Sequence, residues 1–189
     1  MNRSDIPNII SILRIILVVP TVLLLLNERY GQALMLFAVA GASDGLDGYI
    51  AKRYNYVSRL GTILDPLADK LLLVCTFLAL GWLGLIPAWL VIAVIARDAL
   101  IVSGGVAYHY LIGQYDMAPT LISKINTFFQ IVLGLSVVLG AGGVSLSDQL
   151  IDILIYIVSV TTVLSGLDYV WTWGARAYRS RHLQGHQHK

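Results

Sequence analysis

Residues 61–83 read Gly61-Thr62-Ile63-Leu64-Asp65-Pro66-Leu67-Ala68-Asp69-Lys70 and then continue as the almost wholly apolar run LLLVCTFLALGWL. From Asp65 to Leu83 this is close to the 20 or so residues that a helix needs to cross bilayer hydrocarbon. Its two carboxylates sit at one end rather than spread along it. A soluble helix alternates apolar and polar faces over its whole length, and this stretch does not. It predicts a membrane-spanning helix that carries its chemistry at one mouth.

Five more stretches of the same kind lie on either side, at 8–26, 31–51, 87–112, 120–141 and 149–171. The breaks between them have local causes. Asn27-Glu28-Arg29 separates the first two spans, Pro87 opens the fourth, Pro119 precedes the fifth, and residues 140–147 separate the fifth from the sixth. The expected fold is all-α: a polytopic membrane protein in which six transmembrane helices form one bundle. Residues 1–175 make the transmembrane domain and 176–189 a basic cytoplasmic tail.

Composition agrees with this. Of 189 residues, 57% are apolar, with 17 Gly besides, and only 13% are charged, about half the fraction usual in a soluble domain. Soluble, disordered and fibrous classes are excluded. The single Cys75 lies in an apolar run and reads as a small hydrophobe, so no intrachain disulfide is possible. Arg3 before an apolar stretch resembles a signal peptide, but no small-residue cleavage site follows, and a retained anchor is expected.

Orientation follows from the placement of Lys and Arg. Arg3, Lys52, Arg53, Arg59, Lys124, Arg176, Arg179, Arg181 and Lys189 fall at the N-terminus, the second and fourth loops and the C-terminus, whereas the odd-numbered loops hold only Arg29. Both termini are therefore expected in the cytoplasm, in a cell (inner) membrane crossed several times. Trp171, Trp173 and Tyr178 suit an interfacial aromatic belt. The basic tail suits an anionic lipid leaflet, and no nucleic-acid partner is expected.

The acids carry the functional signal, for all but Glu28 are Asp. Asp44 and Asp47 stand i, i+3 at the cytoplasmic end of span two. Asp65 and Asp69 stand i, i+4 at the cytoplasmic start of span three, so each pair shares a helix face. A short loop joins the two ends, and four carboxylates converge. So many like charges in a low dielectric require protons or cations. Oxygen-only ligands favour a hard divalent ion, Mg²⁺ or Mn²⁺, and two such ions suit a phosphoryl clamp. Gly48, Ala51 and Gly61 leave room for a ligand, and Lys52, Arg53 and Arg59 are cations for its phosphates. A proton or ion pathway, in a small transporter, would instead distribute its acids through the bilayer. A purely structural subunit would leave the cluster unexplained.

Asp44-x-x-Asp47-Gly48-x-x-Ala51 followed by Gly61-x-x-x-Asp65-x-x-x-Asp69 resembles the motif of the CDP-alcohol phosphotransferase family. Seven residues at fixed spacing make a chance match on the order of one in a million. The chain departs from the pattern at Lys52, where the family usually has Arg. Lysine lacks the fork for bidentate phosphate contact, so Lys52 contacts phosphate more weakly or Arg53 takes its place.

The resemblance implies that Asp44, Asp47, Asp65 and Asp69 hold two Mg²⁺ or Mn²⁺ ions, with Asp69 either a ligand or the base on the acceptor hydroxyl. It implies a CDP-diacylglycerol site formed by Asp44, Asp47, Gly48, Ala51, Lys52, Arg53 and Gly61. It further implies transfer of a phosphatidyl group to an acceptor alcohol with release of CMP, and a homodimer.

Two intramembrane patches bear on the acceptor. Arg97-Asp98 lies inside span four, either as a structural ion pair or lining a cavity. Ser123, Asn126, Thr127 and Gln130, with Lys124, give span five a polar stripe, facing a cavity or forming a helix seam. Arg97, Lys124, Asn126 and Thr127 are the candidate acceptor residues. Span one carries a third stripe, Pro7-Asn8-x-x-Ser11-x-x-Arg14, whose Arg14 either serves the site or snorkels to the headgroups. Family members that use glycerol 3-phosphate tend to carry a second Arg in span four, where this chain has Leu100-Ile101-Val102-Ser103-Gly104-Gly105-Val106. Residues 118–130 are similar to the eukaryotic-type, cardiolipin-forming branch, whose acceptor is phosphatidylglycerol. That acceptor is expected here, with glycerol 3-phosphate as the alternative. His109 is expected to pack, and His182, His186 and His188 to lie in a solvated tail.

Overall fold

The computed structural model describes the backbone of residues 5–40, 61–112 and 120–185, and the side chains of 12–40, 68, 70–104 and 120–172. Among the described residues the chain is all helix: α1 Asp5–Leu26, α2 Tyr30–Ala40, α3 Gly61–Trp82, α4 Ala88–Ile112, α5 Leu121–Ala141 and α6 Asp148–Gly185. These six fall on the six apolar stretches. Two of them, Leu121–Ala141 and Asp148–Thr172, are long and apolar enough to cross a membrane, and Ile12–Leu26, Tyr30–Ala40 and Lys70–Trp82 are shorter apolar helical segments.

Three helices end in the same way. At the close of α1, the Arg29 amide donates to the Leu24 carbonyl and the Glu28 amide to Leu25. At the close of α3, Leu85 and Gly84 donate to Leu80 and Gly81. After α5, Val144 and Gly143 donate to Leu139 and Gly140. Each is a Schellman stop, which needs a left-handed residue just past the helix. Gly84 (φ 70°) and Gly143 (φ 96°) meet that need without strain, but the first stop places Glu28 there at φ 57°. Asn27 reinforces that stop, its Nδ2 donating to the Leu23 carbonyl at 2.7 Å. At the opposite end of α5, the Thr120 hydroxyl accepts from the Ser123 amide at 3.3 Å, an N-cap.

The chain forms two compact units, residues 1–88 with 134–151 and residues 89–133 with 152–189. In the first, α1 packs on α3. Val18, Ala40 and Leu72 form a cluster flanked by Val22, Phe37 and Cys75, so α2 joins the same core. In the second, Leu90 and Val94 of α4, Leu133 of α5, and Leu154 and Val158 of α6 are buried. The outward faces are apolar instead of charged: Leu23, Met35, Ile92, Phe128 and Val163 are all exposed. Water penalises such a surface and lipid does not.

The basic tail begins within a helix. Residues 176–185 continue α6 as helix, because loss of apolarity ends a span but does not end a helix. His186 and His188 lie outside the described residues, as do the surroundings of His109 and His182.

Candidate functional site

The described carboxylate candidates rest on α3. Gly61 begins that helix, and Asp65 and Asp69 lie one turn apart near its N-terminal end, as their spacing requires for a shared face. Asp44, Asp47, Gly48, Ala51, Lys52, Arg53 and Arg59 lie outside the described residues. Among the described residues no group of three or more His, Cys, Asp or Glu is placed to hold a metal. The α3 donor set is nonetheless all carboxylate oxygen, the type that fits a hard divalent cation.

A separate group of candidate residues lies within the unit of residues 89–133 and 152–189, where the helices are polar inside. Arg97 is 5% exposed and Asp98 6%, and the Arg97 Nη1 donates to Asp98 Oδ1 at 2.8 Å. The Nη2 donates to the Ser123 hydroxyl at 2.6 Å, and the Nε to Ser165 at 3.1 Å, with a further Nη2 contact to Ser165. The guanidinium carbon sits 6.0 Å from the Tyr169 ring centroid. One side chain from α4 thus reaches both α5 and α6. Of the two readings open for Arg97-Asp98, the ion pair is present, which is the arrangement a buried arginine requires.

Asn126 makes the second tie. Its Oδ1 accepts from Thr161 at 2.8 Å and from Thr162 at 3.0 Å, joining α5 to α6 as polar side chains do between membrane helices. Ser123, Asn126 and Gln130 are all buried; their i, i+3, i+7 spacing makes them one face. Thr127 is half-buried and its hydroxyl donates to the Ser123 carbonyl at 3.1 Å. Lys124 is exposed.

Arg97 and Asn126 thus each tie α5 to α6, Arg97 through Ser123 and Ser165 and Asn126 through Thr161 and Thr162. Among the described residues Thr127 bonds only its own helix, and the Lys124 side chain is exposed. Sequence reasoning missed the α6 partners Thr161, Thr162 and Ser165. The signal was a short polar spacing, Thr-Thr-x-x-Ser, within an apolar span. Arg14 is a correction: it is 1% exposed, so its head does not snorkel to the headgroups. Snorkelling needs a route along the helix to water, and an arginine on the inward face of α1 has none.

The sequence model of CDP-alcohol phosphatidyltransferase matches residues 4–164, and the chain belongs to that family, which is in general divalent-metal dependent. Among individual proteins, it is similar to the cardiolipin synthase (CMP-forming) of Rattus norvegicus, 34% identical over 185 residues, covering 89% of this chain and 61% of that protein. The same figures hold for cardiolipin synthase (CMP-forming) of Homo sapiens. It is also similar to the CDP-diacylglycerol–glycerol-3-phosphate 3-phosphatidyltransferase of Rickettsia typhi, 29% identical over 172 residues, covering 88% of this chain and 95% of that protein. The chain spans about 61% of the length of the first two relatives.

Proposed function

We propose that this chain is a membrane phosphatidyltransferase that moves the phosphatidyl group of CDP-diacylglycerol onto a hydroxyl of phosphatidylglycerol, forming cardiolipin and releasing CMP. The observation that carries the reaction is the pair Asp65 and Asp69, one turn apart on α3 within the family match. In the transfer, the acceptor oxygen bonds to the phosphatidyl phosphorus and the bond from that phosphorus to the CMP oxygen breaks. The acceptor's proton passes to a carboxylate, which we assign to Asp69. Asp44, Asp47, Asp65 and Asp69 would hold two Mg²⁺ or Mn²⁺ ions, which when bound neutralise the pyrophosphate and the leaving CMP. Gly48, Ala51, Lys52, Arg53 and Gly61 complete the CDP site, with Arg97, Lys124, Asn126 and Thr127 on the acceptor side.

The surrounding architecture we propose is six spans in a cell membrane, both termini and the active site on the cytoplasmic side, in a homodimer. The charge asymmetry of the loops supports that orientation. Names among the relatives point to either phosphatidylglycerol or glycerol 3-phosphate. Phosphatidylglycerol is favoured because Arg97 is already matched by Asp98, leaving that cation poorly suited to a phosphomonoester dianion.

The test offers purified protein CDP-diacylglycerol, Mg²⁺ or Mn²⁺, and each acceptor separately, with the lipid product read by mass spectrometry. Cardiolipin from phosphatidylglycerol is expected. A product from glycerol 3-phosphate alone would overturn the acceptor assignment.

A further inference from the structure

Two buried amide groups in the second unit have unused hydrogen-bonding capacity. Asn126 and Gln130 are 0% and 1% exposed. Among the described residues neither the Asn126 Nδ2 nor the Gln130 Nε2 has a hydrogen-bond partner. Exchanging oxygen and nitrogen does not cure Asn126: Nδ2 would then meet the Thr161 and Thr162 hydroxyls, and the carbonyl would be left over instead. The hydroxyl protons are limited too, since Thr161 lies equally close to the Ile157 carbonyl, at 2.8 Å. Among the described residues, one end of the Asn126 amide therefore lacks a partner in either orientation.

Leaving such groups unpaired is costly where no bulk water reaches. A polar pair persists in that setting when something else supplies oxygens. The two residues stand i, i+4, so their side chains project from neighbouring points of one α5 face, about 6 Å apart. Around them the only described cation of the network, Arg97, has its Nε, Nη1 and Nη2 all engaged and its charge matched by Asp98. On this buried α5 face what remains available is neutral, amide donors for hydroxyl, ester and singly charged phosphodiester oxygens, while the exposed Lys124 stands two residues from Asn126 on another face of the helix. Neutral donors compensate two full charges poorly.

We propose that Gln130, together with Asn126, is an acceptor-recognition residue that selects a glycerol carried on a phosphodiester over a glycerol phosphomonoester. This rests on the phosphatidyltransferase reading above and deepens it, since it states why the acceptor is a lipid. The Asn126 amide is held in place from α6 by the two threonines, and Gln130 extends the same donor row one turn further along α5.

The experiment uses the full-length protein in lipid nanodiscs, with CMP release measured against phosphatidylglycerol and CDP-diacylglycerol varied independently. Gln130→Met keeps the length of the side chain and removes the amide. The KM for phosphatidylglycerol should rise about tenfold, the size of one lost hydrogen bond to a charged oxygen, while the KM for CDP-diacylglycerol stays put. Because the Gln130 Nε2 has no partner among the described residues, the melting temperature should hold or rise. Gln130→Glu should raise the acceptor KM further by repelling the phosphodiester, and Gln130→Asn should rescue part of the loss.

An unchanged acceptor KM in Gln130→Met would overturn the proposal. So would a rise in both KM values together with a lower melting temperature, which marks a merely structural amide. If the unaltered protein makes nothing from phosphatidylglycerol, the functional reading itself has failed and this inference with it.

Discussion

The unit of residues 1–88 and 134–151 and the unit of residues 89–133 and 152–189 are built from similar helices, yet their interiors differ. The first buries Val18, Leu25, Leu72, Phe77 and Leu80 around a few polar residues, Arg14, Thr21 and Thr76, and its Thr21 hydroxyl donates to the Leu17 carbonyl of its own helix at 2.7 Å. The second buries Arg97, Asp98, Ser123, Asn126, Thr162 and Ser165, most of them bonded from one helix to another. Lipid tails are as apolar as leucine, so helices in a bilayer associate through close packing or through hydrogen bonds. The first unit leans more on close packing and the second more on hydrogen bonds from helix to helix. The difference bears on the acceptor side of the proposal: a hydrogen-bonded interior can exchange partners with a substrate, which a packed apolar one cannot.

Substitutions can break that contrast in opposite ways. In the first unit, Asp69→Asn keeps shape and removes the proposed base. CMP release should fall about 10²–10⁴-fold with the melting temperature little moved, and near-normal turnover would sink the assignment. In the second unit, Arg97→Leu removes the cation that Asp98 faces at 2.8 Å. Breaking a buried pair on one side costs about 3–5 kcal/mol, visible as a large loss of thermal stability. The double change Arg97→Leu with Asp98→Leu should recover most of it. Equal losses in single and double variants would mean that charge balance is not what Arg97 supplies.

The smallest expected effect lies in the turns. Glu28 occupies at φ 57° the conformation that Gly84 and Gly143 occupy at the other two stops. A side chain there costs about 1–2 kcal/mol, and glycine repays part in backbone entropy. Glu28→Gly should therefore stabilise by about 0.5–1 kcal/mol in a reversible denaturation experiment. Gly84→Ala and Gly143→Ala should destabilise. A Glu28→Gly variant that melts lower would show that the glutamate side chain holds the turn in some further way.

The helices were legible because hydropathy and breakers coincide: Pro87 lies directly before α4, and α3 and α5 stop where glycines permit a left-handed residue. The first stop was legible only as a polar break, since nothing in Asn27-Glu28-Arg29 announces a glycine-like conformation. The end of helix α6 was not legible, because hydropathy reports where apolarity ends and helix propensity does not change there. On the site, the α5 stripe of Ser123, Asn126 and Gln130 could be read from spacing alone. Its partners could not, for a threonine in an apolar helix bonds its own carbonyl as readily as a neighbouring helix. Thr161 and Ser159 do so here, donating to Ile157 and Ile155. Arg14 was ambiguous for a related reason: composition does not tell an inward face from a lipid-facing one.

Helix α6 runs unbroken for 38 residues, about 57 Å at the rise of an α-helix, nearly twice the hydrocarbon thickness. Ser165, where Arg97 grips it, lies roughly 30 Å along that rod from Gly185. A rigid rod converts a small rotation at its grip into a larger displacement at its tip: about 10° moves Gly185 by about 5 Å. A spin label at the helix end would thus act as a pointer, reporting at a distance on rearrangement of hydrogen bonds inside the protein.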